Sequence, residues 1–273
     1  MKEIASHIYS VYSKEETDKH LRKVDLVLID MDGCVYPRTT GLSLFKNCCL
    51  LYFDDRNIKI IFYIISFIAY YPIIMFLHLI RLVNNHKLMC FFSGRFRGIP
   101  LSYLQAAARP IPAKSFPGAK KVLSILSKHA KTGFISFGLD MVLNEYKVQF
   151  RDEGRQLISF YDSNHCIWRK DSERIVSNGI EQEQLMIKAS DKADRARERI
   201  KEFRAKAPLV IGHSQGDLEM MKVAKEYGGL ALGFNPSSKI AKHCHIVVKA
   251  KNWQPLASYL SSVFSDTMDK KCI

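Results

Sequence analysis

Apolar residues along the chain fall into two kinds of run, one mainly continuous and one with helical spacing. The continuous runs cover Val24–Ile29, Thr132–Phe137 and Pro208–Ile211. A short run of this kind is typical of a parallel strand that is buried on both faces. Helical spacing covers Ala119–His129 and Lys192–Ala207, directly before the second and third runs. Helix before strand, repeated along the chain, predicts an α/β fold with a doubly wound parallel sheet.

Two more strands are predicted later in the chain, at Gly229–Phe234 and Ile246–Val248, with a short helix between them. The predicted strands and helices divide the chain into four units. In chain order these are an N-terminal helical extension (1–22), a core in two parts (23–34 and 115–265), a helical insert between those parts (35–114) and a C-terminal tail (266–273).

The insert contains 21 residues without Asp, Glu, Lys or Arg, from Ile60 to Ile80. A helix of that length spans the hydrocarbon core of a bilayer, which is about 30 Å thick. Pro72 divides the run into two segments that are too short to cross alone. Basic residues flank the run, as anionic headgroups favour. We expect a strongly apolar helical cap that also anchors the protein on a membrane. A soluble cap that buries the run against itself or a partner is the alternative.

Composition narrows the choice of partner. The chain has 41 Lys and Arg against 27 Asp and Glu, a formal net charge of +14, which favours anionic partners. Nucleic acid is disfavoured because the Arg-rich stretch 195–204 alternates with acidic residues, as on a solvated helix face. The cysteines are seven in number, without a CxxC pair, which indicates neither a disulfide framework nor a zinc knuckle. A reducing, cytoplasmic environment fits this usage.

Polar residues follow the predicted strands where ligands collect in open parallel sheets, at the carboxyl ends of the strands. Asp30 and Asp32 come after the first strand, and Ser136 ends the second. His213 and Asp217 follow the third strand. We therefore expect these distant groups to meet on one edge of the sheet.

Four segments in this order resemble the motifs of haloacid dehalogenase superfamily phosphatases, nearest the phosphoserine-phosphatase-like subclass. They are Asp30-Met31-Asp32-Gly33, Phe134-Ile135-Ser136-Phe137-Gly138, Asp191-Lys192-Ala193 and the segment from Gly212 to Met221. The resemblance covers about residues 24–34 and 115–260. It implies a Rossmann-like core and a metal-dependent phosphomonoester hydrolase that forms an aspartyl-phosphate intermediate.

The resemblance also implies a role for each matching residue. Asp30 is the expected nucleophile, and Asp32 protonates the leaving oxygen and then activates water. Ser136 and Gly138 bind the phosphoryl group, and Lys192 balances charge, with Lys188 as a rival. The expected ion is Mg²⁺, held by a set drawn from Asp30, Asp32, His213 and Asp217. One position departs from the family pattern, because His213 stands where an acid usually follows the first glycine of the last motif. An imidazole prefers softer metals, so an altered metal preference is expected.

We expect the insert at 35–114 to determine which class of substrate the protein binds. It resembles the apolar insert of phosphatidylglycerophosphatase C-like enzymes in position and composition, and Arg95 and Arg97 are its candidate substrate-binding residues. The main prediction is a phosphatase held peripherally or monotopically on the inner face of a membrane, acting on a lipid-linked or glycerophosphate substrate. The alternatives are a soluble phosphatase or phosphotransferase of small metabolites and a catalytically degenerate membrane-bound scaffold.

Overall fold

The computed structural model describes residues 1–54 and 69–265, except for positions 71, 75, 78, 81, 84 and 173. Its strands are β1 (Lys2–Ala5), β2 (Ile8–Ser10), β3 (Leu26–Ile29), β4 (Lys131–Leu139), β5 (Arg151–Asp152), β6 (Arg155–Gln156), β7 (Phe160–Asn164), β8 (Cys166–Asp171), β9 (Arg174–Ile180), β10 (Pro208–Gly212), β11 (Leu230–Phe234) and β12 (Ile246–Val248). Its α-helices are α1 (Lys14–Leu21), α2 (Thr40–Asp54), α3 (Asn85–Phe96), α4 (Leu101–Ala108), α5 (Ala119–Leu126), α6 (Asp140–Gln149), α7 (Ala189–Glu202), α8 (Leu218–Glu226), α9 (Ser238–Ala241) and α10 (Gln254–Ser265).

Eight strands form one sheet in the order β1-β2-β12-β11-β10-β3-β4-β7. The six from β12 to β7 are parallel, and β2 joins them antiparallel to β12. The predicted α/β core is confirmed. Strand β3 lies between β10 and β4, so the carboxylates that follow it lie near the middle of the sheet.

Both faces of β3 are covered, which explains its continuous apolar sequence. All four of its residues are buried. Val27 and Ile29 belong to one hydrophobic cluster, while Leu26 and Leu28 belong to the cluster on the opposite face. A strand held on both faces and by two neighbours gives the residues after Ile29 a rigid base.

The N-terminal extension needs correction, since only part of it is helical. Helix α1 begins after the Ser13 N-cap, whose side chain accepts a hydrogen bond from the Glu16 amide. Before it, β1 and β2 form a hairpin, and β2 pairs with β12 with Ser10 opposite Ile246. Because β2 pairs with β12, these residues extend the sheet, and Ile8 and Ser10 are buried there.

The described part of the insert is helical and forms a cap. Helix α2 packs on α4, and α3 packs on β9 of the core sequence. Strands β8 and β9 form a separate antiparallel hairpin, which is joined to the insert by a bridge between Pro100 and Val176. The cap therefore has a second component, the β8–β9 hairpin, from outside the predicted insert.

The predicted membrane anchor is not found among the described residues. Of the helices in the described parts of the chain, none combines the length and apolar character needed to cross a bilayer. In the insert, α2 has 15 residues, α3 has 12 and α4 has 8, whereas a span needs about 20. Most of the run Ile60–Ile80 lies outside the described residues. The finding contradicts the predicted location on the inner face of a membrane.

Candidate active site

The first candidate residue, Asp30, lies directly after β3 and is 3% exposed. Its backbone N–H donates a hydrogen bond to the Ile211 carbonyl of β10 at 2.9 Å. The sheet ladder thus continues one residue beyond the strand. This contact sets the direction in which the Asp30 side chain leaves the sheet.

Lys192 joins the two buried acids of the site. Its Nζ donates to Asp30 Oδ1 at 2.6 Å and to Asp217 Oδ1 at 2.7 Å. Lys192 is 1% exposed on the inner face of α7. Burial by itself lowers the pKa of this amine, but the charges of Asp30 and Asp217 raise it well above its usual range. The rival Lys188 is exposed at the start of α7, where its backbone N–H donates to Asp191.

Asp217 ends the short 3-10 turn Gln215–Asp217 and is fully buried. Its second oxygen, Oδ2, accepts from the backbone amides of His213 and Ser214 at 2.9 and 3.0 Å and from the Ser214 hydroxyl at 3.0 Å. Burial raises the pKa of this carboxyl, yet Lys192 and the hydrogen bonds from His213 together lower it well below its usual range. Both oxygens of Asp217 are therefore engaged by protein donors, and its main role here is to hold Lys192 and the turn.

His213 brings an imidazole to the nucleophile. Its Nδ1 lies 3.1 Å from Asp30 Oδ2 and 3.4 Å from Asp217 Oδ2. Burial alone lowers the pKa of His213, but hydrogen bonds to the two carboxylates raise it to about 9. The ring fits because Gly33 has no side chain. A Cβ at Gly33 would lie 2.3 Å from His213 Nε2, and the φ of Gly33 is +78°.

Asp32 lies two residues after Asp30 and contacts the first helix of the insert. Its Oδ1 accepts a hydrogen bond from the backbone N–H of Thr40, the first residue of α2, at 2.9 Å. Burial and then the charge of Asp30 raise the pKa of Asp32 to about 6. An acid next to the nucleophile, with a raised pKa, is suited to donating a proton near neutral pH.

Ser136 and Gly138 extend β4 past the end of β3. Phe134 pairs with Ile29, so Ser136 lies beyond the last residue of β3 on the neighbouring strand. The Ser136 Oγ accepts from the Gly138 amide at 3.0 Å, and a Cβ on Gly138 would approach this hydroxyl to 3.1 Å. The glycine keeps space open beside the serine hydroxyl.

Sequence reasoning missed two groups at the site, Phe137 and Thr40. The Lys192 Nζ lies 4.4 Å from the centroid of the Phe137 ring, so the ring shields the amine from water and stabilises its charge. A threonine before an apolar helical pattern is a signal for the start of α2. The Phe137 contact has no signal in the sequence, because the ring and Lys192 lie far apart along the chain.

Arg95 and Arg97 have contacts within the cap. The Arg95 guanidinium lies 4.7 Å from the centroid of the Phe91 ring in the same helix. Arg97 follows α3 and lies beside Gly179 of β9, with its Nε 3.4 Å from the position of a Cβ there. Arg97 thus lies where α3 meets the β8–β9 hairpin. The role of both arginines in substrate binding stays a prediction.

Solved structures with a similar fold include known hydrolases. A HAD family hydrolase from Salmonella enterica serovar Typhi aligns with a TM-score of 0.63 and 15% identity, over 86% of this chain and 71% of that one. The core has the fold of this hydrolase superfamily, as the four motifs predict. A scan against family models found no match, and a search of curated proteins found no similar sequence.

More particular neighbours are phosphatases. A phosphoserine phosphatase solved as an analogue of its phospho-aspartyl intermediate aligns with a TM-score of 0.61 and 15% identity, over 87% of this chain and 99% of that one. Cytosolic 5'-nucleotidase IIIB bound to cytidine aligns with a TM-score of 0.63 and 14% identity, over 96% and 95%. These neighbours confirm the predicted phosphoserine-phosphatase-like fold.

Proposed function

We propose that the protein is a phosphomonoester hydrolase of small phosphorylated metabolites, with Asp30 as its nucleophile. The observation that carries this proposal is the buried Lys192, hydrogen-bonded to Asp30 and Asp217 at 2.6 and 2.7 Å. A structural salt bridge alone does not explain why such a costly buried triad lies at the carboxyl end of the central strand, where ligands bind in this class of fold.

In the proposed reaction, each group at the site has a role. Asp30 attacks phosphorus, a new O–P bond forms, and the bond to the leaving oxygen breaks. Asp32 gives its proton to that oxygen. In the second step Asp32 accepts a proton from water as the water attacks the aspartyl-phosphate, which restores the Asp30 carboxylate.

Positive charge around Asp30 compensates the charge of the phosphoryl group. Lys192 and the His213 imidazole each contact one oxygen of Asp30. Ser136 lies at the same edge of the sheet, and the residue is 1% exposed. Preorganised donors of this kind stabilise a transition state without reorganisation when they are shielded from water.

The atoms around Asp30 do not form a site that suits Mg²⁺, the ion that the resemblance implies. Magnesium demands octahedral oxygen ligands. Here the group facing Asp30 Oδ2 is the imidazole nitrogen of His213, and both oxygens of Asp217 have protein donors. We therefore assign no step of the reaction to Mg²⁺.

The cap supports a small substrate. Thr40 at the start of α2 holds Asp32, so the first helix of the insert begins at the active site. The neighbours named above are a phosphoserine phosphatase and a 5'-nucleotidase bound to cytidine. A phosphatase of small metabolites agrees with this similarity, and the membrane-lipid substrate of the main sequence prediction has no support in it.

Release of inorganic phosphate from a panel of phosphorylated amino acids, nucleotides and sugars, without lipid or detergent, tests the proposal. Mg²⁺, Mn²⁺, Co²⁺ and Zn²⁺ are supplied in parallel. We expect turnover of at least one class, acid-stable labelling of Asp30 in the wild type, and loss of both in Asp30→Asn. Asp194→Asn, at an exposed position of α7, is the matched control. A folded wild type that neither turns over nor labels with any ion would refute the proposal and favour a degenerate scaffold.

A further inference from the structure

Three side chains with different donor atoms face one another at the nucleophile. They are Asp30, Cys34 and His213, and their ligand atoms all lie within 4.8 Å of one another. The His213 Nδ1 is 3.1 Å from Asp30 Oδ2 and 3.7 Å from Cys34 Sγ. This cluster therefore combines a carboxylate oxygen, an imidazole nitrogen and a thiol.

The fold holds each donor firmly. Cys34 is fully buried, and its carbonyl accepts a hydrogen bond from the buried Trp253 indole at 2.9 Å. The Oδ1 atom of Asp30 accepts a hydrogen bond from Lys192, so that only Oδ2 faces the cluster. The imidazole is fixed by its place against Gly33. Preorganised ligands lose little conformational entropy on binding an ion.

The two separations from the His213 nitrogen match a tetrahedral ion of borderline softness, and the third donor pair lies within 4.8 Å. For bonds of about 2.0 Å to nitrogen and oxygen and about 2.3 Å to sulfur, tetrahedral geometry puts nitrogen about 3.3 Å from oxygen and about 3.5 Å from sulfur. The observed separations are 3.1 and 3.7 Å. Nitrogen and thiolate ligands select zinc and its neighbours over magnesium.

Burial also favours an ion over a plain hydrogen-bonded cluster. Asp30 and Asp217 are both buried, with Lys192 as the shared amine between them. The two carboxylates carry one more negative charge than the single amine neutralises, which favours a bound cation beside them. Three protein ligands also leave a fourth position open, as in catalytic zinc sites.

We propose that Asp30, Cys34 and His213 bind a transition-metal ion of the zinc class in this site. The proposal rests on the proposed function for what the ion would do in the reaction, but not for its binding. Cys34 and His213 thus become metal ligands, and Asp217 a positioning residue that holds Lys192.

Cobalt titration of the reduced full-length chain tests the proposal directly. Co²⁺ bound to a thiolate gives charge-transfer absorption in the near ultraviolet, and tetrahedral Co²⁺ gives strong bands in the visible. We expect both signals to saturate with one equivalent of Co²⁺, to disappear when Zn²⁺ is added and to persist in a large excess of Mg²⁺. Absence of the thiolate signal in the folded wild type would overturn the proposal.

Ligand variants identify the donors. Cys34→Ser should abolish the charge-transfer signal and weaken binding about 10- to 100-fold, and His213→Ala should weaken it similarly. Cys244→Ser is the matched control, since Cys244 is also a buried thiol and its Sγ donates to the Ile240 carbonyl. An unchanged signal in Cys34→Ser would overturn the assignment.

The two proposals of this site fail in different ways. Cobalt binding through Cys34 without any turnover would leave the metal site intact and refute the phosphatase. Turnover with Mg²⁺ alone, without a thiolate signal, would refute the metal site and leave the phosphatase intact. Circular dichroism of every variant separates loss of a ligand from loss of the fold.

Discussion

Replacing Lys192 with methionine should destabilise the protein strongly at neutral pH. The amine is 1% exposed and lies 2.6 and 2.7 Å from carboxylates that are themselves buried. Removing one partner of a buried ion pair costs about 3–5 kcal/mol, because the remaining charge is uncompensated. Methionine keeps the volume and places its sulfur near the Phe137 ring, so little of the loss arises from packing.

The destabilisation should depend on pH in a defined direction. In the wild type, Lys192 and His213 hold the pKa of Asp217 below its usual value. The folded state therefore gains stability above the unfolded pKa of an aspartate and loses it as the pH falls. The variant lacks most of this gain, so the difference between Lys192→Met and wild type should be largest at neutral pH and shrink on acidification.

Urea unfolding followed by tryptophan fluorescence measures the difference. Trp253 is fully buried, and its indole N–H bonds the Cys34 carbonyl next to the site, so it reports on this region. Lys188→Met is the control, because Lys188 is exposed at the start of the same helix. A Lys192→Met protein within about 0.5 kcal/mol of wild type at neutral pH would refute the reasoning, since surface changes have effects of that size. A gap that does not narrow in acid would also contradict it.

Three further outcomes are expected. Gly33→Ala should lose about 2–4 kcal/mol through its positive φ and its clash with His213; Gly154→Ala, with a similar φ but open space, should lose only the part due to φ, and equal losses would contradict the clash. Asp32→Asn should slow formation of the aspartyl-phosphate, measured as release of the leaving group in the first turnover, about 10²- to 10⁴-fold for alkyl phosphates but much less for p-nitrophenyl phosphate, whose leaving group needs no proton; equal slowing of this first step would argue against a proton donor. His245 has its pKa lowered to about 4, first by burial, so its neutral ring stabilises the fold above pH 6.5 and this gain is lost towards pH 4. Between pH 6.5 and pH 4, the unfolding free energy of His245→Asn should decrease by about 1–2 kcal/mol less than that of the wild type, after allowance for solvent screening. Equal decreases in both proteins, measured by urea unfolding, would contradict the lowered pKa of His245.

The parallel strands β3, β4, β10, β11 and β12 were predicted because each is largely buried, whereas the parallel strand β7 was missed. Strands buried on both faces need apolar residues throughout, as all four buried residues of β3 show. The hairpin strands β1 and β2 were missed because they are short and β1 is partly exposed, so their pattern has no clear period. The β8–β9 hairpin was missed for the same reason, since most residues of β8 are exposed.

The site was predictable in its residues but not in their contacts. The motifs led to Asp30, Lys192 and Asp217, which the structure places in direct contact. Choosing Lys192 over Lys188 required the phase of α7, whose buried face includes Lys192 and Ala196. Local spacing does not define that phase, because it depends on how the helix packs on the sheet.

Local patterns in the chain are enough to identify the central strands and the acids that follow them, because burial on two faces requires a continuous apolar run. The contact between Cys34 and His213, which are 179 positions apart, arises only in the folded protein. That contact depends on the parallel pairing of β3 with β10 and on the open space at Gly33. Side chains so far apart in the chain meet only through the register of the sheet, and this register sets the donor atoms of the site.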